Sequence, residues 1–172
     1  MLNKFSYLGE NITVMTIAFL ILLILLIGSA FAAEKPYTNK HGVRVVDGDT
    51  LVVKGVRVRL WGIDAPESKQ TGRTEDGKDV PIGVDATKRL RWLIGEKPVS
   101  FTIVDKDKYE RPVVRAYVGS LELNEQMVRD GYAHDWPLYS GGEYSFLHDW
   151  AKDMGLGIWQ YEHEPPWLWR DR

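Results

Sequence analysis

Short apolar runs separated by turn residues occupy the chain from residue 43 onward. Three of them lie within residues 43–60 and are divided by Asp-Gly and Lys-Gly dipeptides, which are typical of turns between strands. The last of the three, residues 56–60, alternates strictly, so we expect its apolar side chains on one face and its two arginines on the other. Two further runs, residues 99–104 and 113–118, flank the polar segment DKDKYER. The pattern predicts five β-strands.

Apolar residues spaced three and four apart predict three helices. The first ends at Gly95, the second has Asn124 as its N-cap and ends at Gly131, and the third spans about residues 144–154. Residues 64–82 have no period and are expected to form a long surface loop. The order of strands and helices suits an α+β domain built on a small five-stranded β-barrel of the OB type, with the three helices on its surface.

The N-terminus carries a hydrophobic export segment. Residues 14–27 read VMTIAFLILLILLI, which is the length of a signal-peptide core and shorter than the roughly 20 residues of a membrane span. Ala30-Phe31-Ala32 offers a cleavage site. We therefore expect residues 1–33 to be a signal peptide or, if uncleaved, a signal anchor, and we favour cleavage. A linker (34–40) and one domain (41–172), including the Trp/Pro-rich tail, would follow outside the cytoplasm, secreted or periplasmic.

Composition narrows the chemistry. The 172-residue chain has no cysteine, which excludes disulfides, thiol catalysis and cysteine-based zinc sites. Its net charge of -2 is unhelpful for binding phosphate chains, so any nucleic-acid role must depend on a local cluster of cations and on a metal. No histidine pair has the spacing of metal ligands, and we interpret His134 and His148 as packing or surface residues.

Two segments contain acidic residues at strand ends. In VVDGDTLVV, a hairpin turn explains Asp47 but does not require Asp49. In RLWGIDAPE, Asp64 ends a strand, and Pro66 holds Ala65 extended with its carbonyl free. Carboxylates at the ends of adjacent strands can converge on one hard cation, and oxygen-only ligands favour Ca²⁺ or Mg²⁺ over zinc or copper. Taken alone, each segment is also explained by turn chemistry.

The segment DKDKYERPV places cations and an aromatic residue between two strands. It supplies Arg111 where the second strand begins, and Lys108 could contact a flanking phosphate. Tyr109 and, further along, Tyr139 could stack on bases. A solvated charged loop would explain the lysine, and packing at the edge of the barrel would explain the tyrosines, about as well as contacts with nucleic acid do.

These segments together resemble the staphylococcal-type thermonuclease family. The similarity runs from about residue 43 to the C-terminus and is carried by VVDGDTLVV, VRVRLWGIDAPES, DKYER, LNEQMVRDGYA and the late YSGGEY, GLGIWQ and PPWLWR. The resemblance implies that Asp49 and Asp64 bind Ca²⁺ through their carboxylates and Ala65 through its backbone carbonyl. Family members commonly have Thr at the last of these positions, which a backbone ligand should tolerate.

The same resemblance assigns catalytic roles. Arg59 and Arg111 match the two catalytic arginines, and Glu67 matches the catalytic glutamate. The chain departs from the family at Glu110, where a glycine is usual. We expect this change to remove easy access to positive φ and to add a carboxylate that could pair with Arg111. The glutamate could therefore weaken the catalytic effect of Arg111, but it does not change the match of Arg111 to the second catalytic arginine.

The implied activity is hydrolysis of phosphodiester bonds in DNA and RNA, preferably single-stranded, with 3′-phosphate products and Ca²⁺ as cofactor, by a protein that we expect to be a monomer. A non-catalytic OB-fold module that binds nucleic acid is the alternative from another class, because such barrels often bind without cutting. A surface nuclease tethered to the membrane by residues 1–33 is the third hypothesis.

Overall fold

A computed structural model describes residues 42–172 of the protein. The predicted export segment (1–33) and the predicted linker (34–40) lie outside the described residues. Within residues 42–172 no helix is both long enough and apolar enough to cross a membrane.

The described chain contains ten strands and five α-helices. In chain order the strands are β1 (Val43–Val45), β2 (Thr50–Val53), β3 (Val56–Leu60), β4 (Ile63–Asp64), β5 (Gly72–Arg73), β6 (Asp79–Val80), β7 (Ser100–Lys106), β8 (Pro112–Val118), β9 (Leu121–Glu122) and β10 (His134–Asp135). The helices are α1 (Ile82–Ile94), α2 (Leu123–Arg129), α3 (Pro137–Ser140), α4 (Ser145–Asp153) and α5 (Pro166–Arg170), with a 3₁₀ turn at Gly157–Gln160.

The principal sheet has the order β1-β2-β3-β8-β7, with β9 paired to β8. All its pairings are antiparallel except β3 with β8, which run parallel and set Arg59 opposite Val113. The sheet curls into a half-barrel, and within residues 42–172 its ladder does not include a pairing of β1 with β7. This confirms the α+β class and is consistent with the predicted OB-type architecture. The predicted numbers are too low, because the principal sheet has six strands and residues 42–172 contain five α-helices, not five strands and three helices.

The core lies between the principal sheet and the helices α1 and α2, which contact β1 and β8. Ala86, Leu90 and Ile94 of α1 are fully buried, as their helical spacing predicts. In β3, Val58 and Leu60 are buried but Val56 is exposed, because it adjoins the turn at the end of the hairpin. The alternation predicted for this strand is therefore correct only in its inner half.

Asn124 does not cap α2, so that prediction is wrong. The residue is fully buried, and the N-cap position belongs to Glu122. The Nδ2 of Asn124 donates hydrogen bonds to the carbonyls of Trp61 (2.8 Å) and Val114 (3.1 Å), and its Oδ1 accepts one from the amide of Ala116 (3.0 Å). The side chain therefore joins α2 to the backbone of β8 and of Trp61 through three hydrogen bonds.

The third predicted helix, α4, has a narrower buried face than its sequence suggested. Ala151 is fully buried and Leu147 packs against the core, but Phe146 is 79% exposed and Met154 is 61% exposed. The covered sides of the helix are those that face α2, β10 and the 3₁₀ turn.

Residues 64–82 and the C-terminal tail are more ordered than their composition indicated. The loop contains the hairpin of β5 and β6, and Arg73 of β5 forms a bridge with Glu162 through two backbone hydrogen bonds of 2.8 and 2.9 Å. The tail therefore packs back on the domain and then forms its own short helix, α5.

Three histidines pack together between β10, α4 and the tail. The Nε2 atoms of His134 and His163 are 3.3 Å apart, and His148 Nδ1 accepts a hydrogen bond from the amide of Asp135 (3.1 Å). Burial lowers the pKa of all three rings, and for His134 the positive charges that its neighbours would carry lower it further. The packing role that we inferred for His134 is confirmed.

The lowered pKa values predict that this cluster contributes stability above about pH 6.5 and loses it as the pH falls, because the unfolded chain then binds protons more readily than the folded one. His148→Gln retains an acceptor for the Asp135 amide but cannot titrate. We expect the free energy of unfolding to fall by a smaller amount between pH 7.5 and pH 5 in this variant than in the parent.

Urea unfolding at each pH measures this difference. Comparing the two proteins removes the contribution of carboxylates that titrate in the same range. Equal losses of stability in the variant and the parent would contradict the prediction.

Candidate active site

The first acidic residue of the site, Asp49, is positioned by the turn between β1 and β2. Asp47 Oδ1 accepts a hydrogen bond from the amide of Asp49 (3.2 Å), which is a local turn stabilised by a side chain. A Cβ on Gly48 would lie 2.6 Å from the Cβ of Ala65, so only glycine allows the turn to approach the segment after β4 this closely. Asp49 Oδ2 then accepts a hydrogen bond from the Ala65 amide (3.2 Å).

The second acidic residue, Asp64, ends β4 and is fully buried. The pairing of β4 with β10 sets it opposite His134. Arg59 bridges it to the first acidic residue, because Arg59 Nη2 lies 2.7 Å from Asp64 Oδ1 and 3.1 Å from Asp49 Oδ2. A single cationic nitrogen therefore stands between the two carboxylates that the sequence predicted as metal ligands.

Burial and like charge set the protonation of this cluster. Burial raises the pKa of Asp64, while hydrogen bonding to Arg170 and the charge of Arg59 act against the rise. Burial and the neighbouring Asp49 carboxylate raise the pKa of Asp47 to about 7. Burial acts to lower the pKa of Arg59, but the two adjacent carboxylates outweigh it and raise that pKa. Arg59 therefore stays charged.

Glu67 lies in the loop after β4, and its backbone is held from two sides. Its amide donates to Gln70 Oε1 (3.1 Å), and its carbonyl accepts from the amide of Gln70 (2.7 Å). A Cβ on Gly83, in the first turn of α1, would overlap the Glu67 carbonyl oxygen. The glycine in α1 thus permits the close approach that sets the position of Glu67.

The parallel register pairs Arg59 with Val113. Arg111 precedes Val113 by two residues, and extended residues two apart share a face, so Arg111 lies on the same side of the sheet as Arg59. Arg111 Nε forms an ion pair with Asp107 Oδ2 (2.6 Å), and the Arg111 amide donates to Asp107 Oδ1 (3.0 Å). Glu110 pairs instead with Lys106 (3.0 Å). The expectation that its carboxylate could pair with Arg111 is therefore wrong.

Glu110 also keeps the backbone conformation of the glycine that it replaces. Its φ is 60°, in the left-handed region that costs most residues about 1–2 kcal/mol. Its amide donates to the Asp107 carbonyl (2.9 Å), and the Asp107 amide donates to the Arg111 carbonyl (3.0 Å), so hydrogen bonds hold the tight turn. The expectation that the chain would lose the positive-φ conformation here is wrong.

The predicted site residues surround one cleft of about 1020 Å³. Seven of the nine line it, namely Asp49, Arg59, Glu67, Lys108, Tyr109, Arg111 and Tyr139. The other two, Asp64 and Ala65, are buried beside it. Tyr109 is 67% exposed and Tyr139 is 56% exposed, so neither packs in the core, and both are available at the surface.

The comparisons with known proteins agree with this arrangement. Residues 57–161 match the family model described as "Staphylococcal nuclease homologue". The chain belongs to the staphylococcal nuclease family. The recognition made from the sequence motifs is thereby confirmed.

Similar proteins in this nuclease family occur in bacteria and plants. A protein of Escherichia coli O157:H7 described as an "Uncharacterized endonuclease" is 35% identical over 141 residues, covering 77% of this chain and 86% of that protein. A Haemophilus influenzae protein with the same description is 32% identical over 158 residues, covering 87% and 82%. The "Probable staphylococcal-like nuclease CAN3" of Oryza sativa is 32% identical over 136 residues, covering 77% of this chain and 33% of that protein.

The donor atoms of this family member suit a hard cation. Among residues 42–172, no three histidine, aspartate or glutamate side chains converge as a metal-binding group. Asp49 and Asp64 are nevertheless close enough to share one nitrogen of Arg59, and both supply only oxygen. Two carboxylates completed by a backbone oxygen and water fit Ca²⁺ bound weakly. The donor chemistry is thus compatible with the predicted calcium, whose binding stays a prediction.

Sequence reasoning missed two residues of the cleft. Trp136 lines the cleft, and the centre of its ring is 5.4 Å from the guanidinium of Arg59 and 5.9 Å from that of Arg170. Arg170 itself, at the end of α5, reaches Asp64 and Glu67. The motif PPWLWR contains this arginine and was part of the resemblance, but nothing in its spacing indicates which carboxylates it meets.

The left-handed conformation of Glu110 predicts that glycine stabilises this position. Comparing Glu110→Gly with Glu110→Ala isolates the backbone effect, because both variants remove the carboxylate that pairs with Lys106. We expect the Gly variant to exceed the Ala variant by about 1 kcal/mol in the free energy of unfolding, measured with urea. An Ala variant that is equally stable or more stable would show that the turn is unstrained.

Proposed function

We propose that the protein is a nuclease that hydrolyses phosphodiester bonds of DNA and RNA, with Ca²⁺ as cofactor and 3′-phosphate products. The observation that carries the proposal is one cleft lined by two arginines and two carboxylates, Arg59, Arg111, Asp49 and Glu67, with the buried carboxylate of Asp64 beside it in contact with Arg59. Family membership and relatives described as endonucleases support the hydrolytic reading.

The metal would be held by the two shared carboxylates, Asp49 and Asp64, together with the backbone carbonyl of Ala65. Calcium would supply positive charge that screens the phosphate and helps to order a nearby water. Arg59 Nη2 contacts both of these carboxylates, so its guanidinium lies next to the proposed metal ligands.

The two arginines would stabilise the reacting phosphate. A guanidinium presents two parallel N–H groups to phosphate oxygens and remains protonated throughout the reaction. The phosphorus gains a fifth oxygen as the water attacks, and negative charge grows on the equatorial oxygens. Arg59 and Arg111 would therefore bind the transition state more strongly than the ground state, and this difference accelerates the reaction.

Glu67 would orient the attacking water or remove its proton. It is half-buried at the edge of the cleft, and Gln70 and Gly83 fix its backbone. A carboxylate in this position can accept a hydrogen bond from water aligned with the phosphorus. When the bond on the 5′-oxygen side breaks, the phosphate remains on the 3′-oxygen.

Exposed aromatic residues at the rim favour a single-stranded substrate. Tyr109 and Tyr139 both line the cleft and stay largely exposed, and Lys108 lies 5.1 Å from the ring of Tyr109. Unpaired bases can stack on such rings, while bases in a duplex are already stacked. Because the net charge of the chain is -2, substrate affinity would depend on bound calcium more than on the general protein surface.

The proposal predicts that purified protein degrades single-stranded DNA with millimolar calcium and not with EGTA. Glu67→Gln should reduce kcat by at least about a hundredfold, as expected when a general base is lost. Glu96→Gln, an exposed glutamate after α1 and outside the cleft, is the control and should retain the parental rate.

Each alternative gives a different result. Binding without cleavage by the parent would favour the non-catalytic module. Equal rates with calcium and with EGTA would remove the metal from the proposal. A Glu67→Gln protein that cuts as fast as the parent would show that the proposed role of this carboxylate is wrong.

We propose further that the protein is exported, with its nuclease domain outside the cytoplasm. This proposal depends on the sequence of residues 1–33, and an extracytoplasmic location would give a weak calcium site access to millimolar calcium. We predict that the mature protein begins just after Ala32 or Ala33, which intact mass measurement of the cell-derived protein would detect. A full-length mass in the membrane fraction would support the tethered form, and a full-length mass in the cytosol would contradict export.

A further inference from the structure

The side chain of Arg170 lies across two carboxylates of the cleft. Its Nη1 donates to Asp64 Oδ1 (3.0 Å) and to Glu67 Oε1 (2.7 Å), while its Nη2 donates to Asp64 Oδ2 (2.7 Å). One planar group therefore binds both oxygens of Asp64 and fixes the separation between Asp64 and Glu67. Within residues 42–172 it is also the one cation that forms an ion pair with Glu67.

The C-terminal tail is anchored so that this arginine reaches the cleft. Glu162 forms two backbone hydrogen bonds with Arg73, which attach the tail to β5. The fully buried Gln70 then joins the tail to the loop after β4 that carries Glu67: its Nε2 donates to the Glu164 carbonyl (2.7 Å), and its Oε1 accepts from the Glu67 amide (3.1 Å). The five-residue helix α5 follows at once and ends with the arginine. Two independent attachments thus determine where the guanidinium lies.

The charge of this arginine is strongly favoured in its surroundings. Burial acts to lower the pKa of Arg170, but hydrogen bonds to Asp64 and Glu67 outweigh burial and raise that pKa above its ordinary value. Its side chain is still 32% exposed, so small molecules can approach it from the cleft. Arg170 lies beyond residue 161, where the match to the family model ends.

We propose that Arg170 is a positioning residue of the phosphodiesterase site, which holds the metal carboxylate Asp64 and the water-orienting carboxylate Glu67 in a fixed relative geometry. The inference rests on the nuclease function proposed above. It makes α5 a part of the active site, because the helix carries the group that connects the two carboxylates.

Lysine cannot reproduce this contact. The three hydrogen bonds of Arg170 leave from two nitrogens in one plane, whereas a lysine ammonium is a single point donor. Arg170→Lys would keep the charge and could contact one carboxylate well, but it would not fix both. We therefore expect Arg170→Lys to be more active than Arg170→Gln but less active than the parent.

The experiment compares the parent with Arg170→Gln, Arg170→Lys and Arg172→Gln. Arg172 is the matched control, because it lies in the same tail but pairs with Glu164 and packs on Trp169 outside the cleft. We expect Arg170→Gln to lose at least about tenfold in kcat on single-stranded DNA, with KM changed by less than about twofold. Arg170→Lys should fall between it and the parent, and Arg172→Gln should match the parent.

Direct calcium binding separates a positioning role from structural damage. Titration calorimetry should show Ca²⁺ binding to Arg170→Gln at least as tightly as to the parent, because the substitution removes a cation from a shared carboxylate. In Arg170→Ala, millimolar guanidinium chloride, far below denaturing concentrations, should restore part of the lost kcat by occupying the vacated space between the carboxylates.

The inference is wrong if kcat of Arg170→Gln stays within about twofold of the parent. It is also wrong if kcat, calcium affinity and melting temperature all fall together and guanidinium restores nothing, because the arginine would then support only the fold. If the parent itself cuts no nucleic acid, the proposed function fails first and this inference fails with it. Parental activity, measured in the same series, distinguishes these cases.

Discussion

The buried carboxylate of Asp64 has to be neutralised, and the arginines that neutralise it connect the distant parts of the domain. An ionised carboxylate without solvent costs several kcal/mol unless cations and hydrogen bonds surround it. Arg59 brings the principal sheet to this carboxylate, and Arg170 brings the C-terminal helix. Because Arg59 also contacts Asp49, the turn between β1 and β2 is drawn into the same network. The cleft is the space that remains around this group of charges.

Close backbone approach is the second requirement, and two glycines provide it. Gly48 lets the first turn touch Ala65, and Gly83 lets helix α1 lie against the carbonyl of Glu67. Neither glycine contributes a functional group. Each removes a side chain that would push an acidic residue away from the others, so packing and electrostatics together determine the arrangement of the site.

The sequence predicted most of the elements and most of the cleft, for identifiable reasons. Strands and helices with regular apolar spacing were found where expected, and local motifs placed Asp49 and Glu67 near strand ends. Contacts that depend on tertiary structure were not predictable. Asn124 has the residue type and position of a helix cap, but its side chain bonds to backbone groups beside the sheet. Arg170 follows a tail rich in aromatic residues, and the sequence does not indicate that this tail returns to Asp64. At position 110, the replacement of glycine by glutamate suggested that the backbone would avoid positive φ, but the turn holds Glu110 at a φ of 60°.

The parallel pairing of β3 with β8 has a consequence for how the domain folds. Antiparallel hairpins form between neighbours in the chain, whereas this pairing requires a long segment containing α1 to close first, which slows folding. The contact between Arg170 and Asp64 spans 106 residues, and that between Gln70 and the tail spans 94. A partly folded chain can hold its local hairpins without any of these contacts. An assembled site therefore requires these long-range contacts, and it reports that the distant parts of the domain have reached their native topology.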